Sequence, residues 1–162
     1  MPRHAAYSIR RNGARDGATD SVTLDYEGRF LRRRQLTTDA GAALLVDLAE
    51  TVSLSDGDAF ETTAGVLIAV RAAVEPLAAA EADGVALARL AWHVGNRHAP
   101  AEIAEGRLLI RRDHVLEAML ARLGATVRPV MAAFNPEGGA YGHGRTLGHR
   151  HGGAADQAAG ST

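Results

Sequence analysis

Apolar and polar positions alternate in two different ways along the chain. Before residue 72 the apolar residues fall in short extended segments: Val22–Tyr26, Arg32–Leu36, Ala43–Leu48 and Val66–Arg71. Turn signals separate them at Glu27-Gly28, Asp39-Ala40-Gly41, Ser55-Asp56-Gly57-Asp58 and Ala64-Gly65. Short strands punctuated in this way, with no helical period, predict a small all-β domain over residues 1–71. The period then changes. Leu87, Leu90, Ala91 and Val94 recur at i, i+3, i+4 and i+7, one face of a helix, with Asp83 placed to cap its start and Gly95-Asn96 to stop it. Leu116, Met119, Leu120 and Leu123 repeat the spacing between Asp113 as N-cap and Gly124 just past the end.

Extended stretches surround the two helices at Val74–Ala80, Ala101–Ala104, Leu108–Arg111 and Thr126–Phe134. The resulting order, strand-helix-strand-strand-helix-strand, predicts a ferredoxin-like (βαββαβ) domain over residues 72–135. Pro129 has no N–H to give to a ladder, so the last strand should lie at an edge or bulge there. Residues 136–162 lose all apolar periodicity and become rich in glycine, with His, Ala, Gln, Ser and Thr, the composition of a disordered tail. The fold class expected is α+β, with a small all-β domain followed by the ferredoxin-like domain and the tail.

Composition removes whole classes of chemistry. The 162 residues include no cysteine, which excludes disulfides, thiol nucleophiles, zinc ribbons and iron–sulfur sites. All 18 basic residues are arginine, so a Walker A lysine, a Schiff base and a catalytic lysine are excluded too. With 19 acidic residues the formal net charge is -1, which argues against nucleic acid or an anionic membrane as partner. No apolar run reaches the roughly 18 residues of a membrane span and no signal peptide opens the chain, so a soluble, cytoplasmic protein is expected. Aromatic residues are only 4%, leaving Leu, Val, Ile and Ala to build the core.

Charge is uneven. Eight arginines fall in residues 1–34, and six acids with no base in residues 39–61. The run from Arg29 to Arg34 reads either as a contact for phosphate or RNA, or as a solvated strand face or partner-docking surface. The six acids lack the order of a calcium loop. None of the five serines sits in a G-x-S-x-G elbow.

The histidines carry more. His143, His149 and His151 lie close together in the tail, where imidazoles can capture Ni, Zn or Cu without a preformed cage, or simply belong to a polar terminus. His93 and His98 are five apart, about 140° around a helix, and so share no face. His93 fits the end of the first helix, where a cation suits the dipole. His98 falls just beyond, on the tight exit Gly95-Asn96-Arg97-His98-Ala99-Pro100. His114 begins the second helix, where the dipole disfavours a proton and leaves the ring available as a ligand.

Together these segments resemble a family. Ala91-Trp92-His93-Val94-Gly95-Asn96-Arg97-His98-Ala99-Pro100 is followed by Asp113-His114-Val115-Leu116-Glu117-Ala118-Met119-Leu120 and by Phe134-Asn135-Pro136-Glu137-Gly138-Gly139-Ala140-Tyr141-Gly142-His143. This is similar to the UreE family, the nickel metallochaperones of urease maturation. Leu36–Gly41 and Ser55–Asp58 are similar to that family's first domain. The resemblance implies an N-terminal β domain often called peptide-binding, a ferredoxin-like metal-binding domain, and a homodimer formed through the latter. It implies that His98 lies at the twofold axis in a nickel site shared by two subunits, supplemented by His143, His149 and His151, with nickel passed through the GTPase UreG to urease. Zn and Cu are expected to compete for such ligands, because imidazole by itself does not favour nickel over copper. Arg112 stands where members of the family often have another histidine, which weakens a peripheral site at His114.

A residue near a twofold axis is duplicated by symmetry, so one histidine per chain yields two ligands. Protons compete with metal near the ordinary imidazole pKa of about 6.5, so loading should weaken in acid. The function expected is a non-enzymatic nickel chaperone. A metallohydrolase using His93, His98 and His114 needs a positioned general base that no carboxylate spacing supplies. A pure interaction module, with incidental histidines, is the remaining alternative.

Overall fold

A computed structural model describes residues 3–139 and contains two sheets and two helices. The first sheet has six strands: β1 (Arg3–Arg10), β2 (Asp20–Leu24), β3 (Phe30–Thr37), β4 (Ala43–Ser53), β5 (Ala59–Thr62) and β6 (Leu67–Ala72). Their order is β2-β6-β5-β1-β4-β3, parallel at β1/β4 and β2/β6 and antiparallel elsewhere. One face is apolar at every second position: Leu44, Val46 and Leu48 of β4 alternate inward and are buried. Val22 and Leu31, from the two edge strands, meet in the same core as Phe60 and Ile68, so the sheet curls around one centre. The turn after β3 completes that curl, with Asp39 N–H donating to Ser21 O at 2.7 Å and the Asp39 carboxylate accepting from Ser21 and Thr23.

The second sheet contains β7 (Val74–Glu81), β8 (Glu102–Ala104), β9 (Arg107–Arg111) and β10 (Thr126–Ala133), ordered β10-β7-β9-β8 with every neighbour antiparallel. Helix α1 (Gly84–Asn96) joins β7 to β8, and α2 (His114–Arg122) joins β9 to β10. Leu90 and Val94 of α1 and Leu120 of α2 are buried against Ala78, Ala80, Leu108 and Ile110, so both helices cover one face. Burial of each such side chain contributes about 2 kcal/mol. Ala78 and Ala80 of β7, buried on that face, let the helices approach closely. The end of α2 is as expected, with Leu123 as C-cap and Gly124 left-handed at φ 97. No helix among the described residues is long and apolar enough to cross a membrane.

Mixed α+β architecture and most elements match expectation, with instructive differences. Strands β1 and β5 are additional; β1, reading Arg-His-Ala-Ala-Tyr-Ser-Ile-Arg, offers almost no apolar alternation. The segment Val22–Tyr26 is displaced: β2 ends at Leu24, and Tyr26 leaves the strand as a buried turn residue. Pro129 lies on the edge strand β10, as its missing N–H requires. Asp83 occupies the N-cap of α1 but its side chain caps nothing.

The arginine run also needs correction. Arg32, Arg33 and Arg34 are exposed, but Arg29 is only 2% exposed and is part of no solvated face. Its Nη1 donates to Leu24 O at 3.0 Å, its Nε to Leu54 O at 3.3 Å, and its Nη2 to Phe134 O beyond β10. Burial pushes this guanidinium below its usual pKa, and the nearby charges of Glu75, Asp56 and Asp25 oppose that shift. Beside it, the Tyr26 ring packs edge-on against Phe134 at 5.3 Å and lies 4.6 Å beneath Arg111. Arg111 also pairs with Glu27, and Tyr26 N–H donates to Glu75 Oε2 at 2.9 Å. These contacts clamp the face of the second sheet that the helices leave open onto the β2–β3 turn.

Removal of the guanidinium takes a donor from the buried carbonyls of Leu54 and Phe134 and from Leu24 O, which keeps Ala73 N–H. Arg29→Met is therefore expected to lower unfolding stability by about 3 kcal/mol, read as a fall in the urea midpoint. Arg29→Lys should recover little, because an ammonium lacks the planar fork that reaches three divergent acceptors.

Candidate metal centre

Helix α1 buries Leu90 and Val94 and turns Val85, Ala88, Trp92 and Gly95 to solvent, a stripe at i, i+3, i+7 and i+10. Val85 is 68% exposed and Trp92 65%. The helix ends at Asn96 with Arg97 as C-cap, whose N–H donates to Val94 O and whose guanidinium donates to His93 O at 3.1 Å. His98 follows with its N–H on Gly95 O at 3.0 Å and with φ at 54°.

That φ is the informative value. The position just past a helix end favours glycine because a Cβ is crowded in the left-handed region. At the end of α2 the sequence supplies glycine; at the end of α1 it supplies histidine. Among the described residues only Asn12 shares the feature without being glycine. The helix stops at Asn96, within the expected pair Gly95-Asn96, and a Cβ at Gly95 would meet nothing within 4 Å.

His98 lines a pocket of about 190 Å³ with Ala91 and Gly95 of α1, Ala99, Pro100, Ala101 and Ile103, and Glu137 and Gly138 from the far end of the chain. The path of that distant segment is fixed. Phe134 is buried, Asn135 N–H donates to Glu102 Oε2 at 2.9 Å, and Glu137 N–H donates to Ala101 O at 2.8 Å. The pocket walls are otherwise apolar, and the carbonyl end of α1, carrying partial negative charge, abuts them. A cation suits such a place better than an anion.

The other expected ligands are distributed elsewhere. His114 is exposed at the first position of α2, where Asp113 caps the helix through Val115 N–H and Leu116 N–H. Glu117 receives Asp113 N–H and pairs with Arg112, so the residue two before His114 is engaged in the cap. His93 is half-buried with its ring edge-on to Trp92 at 5.0 Å. Neither lines the pocket of His98. His143, His149 and His151 lie outside the described residues. Among those described, no group of three or more His, Asp or Glu is gathered to hold a metal ion. A larger groove of about 680 Å³ beside β2 and β6 contains Asp20, Asp56 and Arg71 but no histidine. Sequence reasoning passed over Glu137; its only signal was its place between the last strand and the histidines of the tail.

Comparison with known proteins bears on this arrangement. Residues 4–73 match the model for the UreE urease accessory protein N-terminal domain, and residues 68–159 that for the UreE urease accessory protein C-terminal domain. A urease accessory protein UreE from Ruegeria pomeroyi is 56% identical over 147 residues, covering 91% of this chain and 97% of that protein. One from Rhodobacter capsulatus is 53% identical over 149 residues, covering 92% and 94%. One from Paracoccus denitrificans is 58% identical over 125 residues, covering 77% and 79%. The chain belongs to the UreE family of urease accessory proteins.

The left-handed conformation of His98 makes a test independent of any metal. His98→Gly should unfold at a urea midpoint equal to or above that of the wild type, a gain of up to about 1 kcal/mol. His98→Val, β-branched at positive φ, should lose about 1 kcal/mol or more.

Proposed function

We propose that this UreE-family chain is a non-enzymatic, cytoplasmic nickel chaperone, which binds Ni(II) between two copies of itself and delivers it through the GTPase UreG to the urease apoprotein. His98 is the central ligand, and His143, His149 and His151 are auxiliary. The observation that carries the reading is the shared pocket: Glu137 and Gly138, at the root of the tail, line it together with His98. At roughly 3.5 Å per residue, His143 lies within about 17 Å of Gly138 and His151 within about 45 Å.

The exposed stripe Val85, Ala88, Trp92 and Gly95 supports a homodimer. It is apolar, it is uncrowded at Gly95, and it runs along α1 to His98. A twofold contact along this stripe pairs each His98 with the partner's copy. The domains follow the same division: residues 1–71 form the N-terminal β domain, residues 72–135 the metal-binding domain and residues 136–162 the tail. The strand order β10-β7-β9-β8, with both helices on one face, supports a ferredoxin-like description of the second. His114 serves at most a peripheral site, since Arg112 beside it is occupied by Glu117. Zn(II) and Cu(II) are competing ions for an imidazole-rich site, so selectivity rests on supply and on the receiving protein.

Calorimetric nickel titration with mass measured by light scattering tests the reading. Wild type should bind one tight ion per two chains, His98→Ala should lose it, and a chain ending at Ala140 should remain dimeric while binding fewer or weaker ions. Tight binding undiminished by His98→Ala would sink the proposal. Because protonated imidazole cannot ligate, affinity should fall as the pH is lowered.

A further inference from the structure

We propose that Glu137 is itself a ligand, its carboxylate binding the same divalent cation as His98, so that each chain contributes one imidazole and one carboxylate. This rests on the reading of His98 given above and adds an oxygen donor to it. Of the residues around the pocket, only His98 and Glu137 carry side chains able to coordinate a metal; the rest are Ala, Gly, Pro and Ile.

The position of this carboxylate has no evident structural purpose. None of the ion pairs or side-chain hydrogen bonds among the described residues engages it. It sits by the carbonyl end of α1, where the dipole disfavours negative charge. Yet its backbone is pinned, with Glu137 N–H on Ala101 O at 2.8 Å and, two residues earlier, Asn135 N–H on Glu102 Oε2. This holds the backbone of Glu137 at the edge of the pocket, within side-chain reach of it. A cation in the pocket reverses the balance, because helix end and carboxylate then both stabilise it.

Charge compensation leads to the same assignment. A divalent ion bound by two neutral imidazoles keeps its full double charge against apolar walls, which is costly. One carboxylate from each of two chains brings the site to neutrality with two nitrogen and two oxygen donors. Such a mixed set also suits Ni(II) and Zn(II), and moves the site away from the soft donors that favour Cu(I).

Nickel titration of the full chain tests this, beside X-ray absorption of the loaded protein and thermal unfolding of each variant without metal. Glu137→Gln should keep the wild-type melting curve and the stoichiometry of one ion per two chains. Its dissociation constant for nickel should rise about 10–100-fold, and the absorption spectrum should change in the nickel first shell. Glu137→Asp should recover part of that loss. Glu105→Gln, which removes an exposed carboxylate of the β8–β9 turn outside the pocket, should change affinity less than 2-fold. If Glu137→Gln binds as tightly as wild type while His98→Ala loses the site, Glu137 is not a ligand and the chaperone reading survives. An equal loss in Glu105→Gln would also overturn the assignment, reducing it to general electrostatics. Tight binding that survives His98→Ala overturns both readings together.

Discussion

The guanidinium of Arg29 holds three separate pieces of chain in one place. It donates to Leu24 at the end of β2, to Leu54 after β4, and to Phe134 after β10. A buried arginine without an adjacent carboxylate is uncommon, and what makes this one tolerable is that carbonyl oxygens take up its donors while Glu75, Asp56 and Asp25 stand near enough to offset its charge. The third acceptor matters for function. By fixing Phe134, Arg29 fixes where the chain leaves β10, and the next three residues carry it past Glu102 and Ala101 to the pocket of His98. A residue of the β2–β3 turn thus helps fix where the chain leaves β10.

Legibility in the sequence followed the strength of local patterns. The helices were visible because Leu87, Leu90, Ala91 and Val94, and then Leu116, Met119, Leu120 and Leu123, repeat at a period nothing else produces. Their flanking strands were visible as apolar runs between turn signals. Strand β1 was not, since its place is decided by partners β4 and β5 rather than by its own residues. Arg29 and Arg32 are indistinguishable as letters, and only tertiary structure buries the first. For the same reason Glu137 stayed hidden. It is 39 residues from His98 in sequence, and no local pattern announces a contact made by folding the end of one segment back on the end of another. The motif around His98 did single it out, but not the reason a histidine there is unusual, which lies in a backbone angle.

Histidine at a left-handed helix end is a compromise between folding and another requirement. Glycine would relieve the crowding at φ 54, as it does at Gly124. Histidine keeps the turn but adds an imidazole, projected from a position held by the helix hydrogen bond to Gly95 rather than by core packing. The backbone sets its direction while the side chain stays half-exposed at the pocket. For the ligand role proposed for His98, which needs an ion both received and given up, such a place is better than the interior, where release would require the core to open.

The site proposed above, divided between two chains, would have a thermodynamic consequence that a site within one chain lacks. Metal binding and association become linked, so the ion tightens the dimer by the same free energy with which the dimer tightens the ion. A receiving protein then has two routes to the cargo. It can compete for ligands directly, or it can bind the exposed apolar stripe of α1 and weaken the contact that completes the coordination. The second route separates recognition from chemistry: the partner need not hold nickel more tightly than the intact pair does, only more tightly than one half of it. On the proposed reading that mode of transfer requires an apolar stripe running to His98, and Val85, Ala88, Trp92 and Gly95 lead along α1 to that residue.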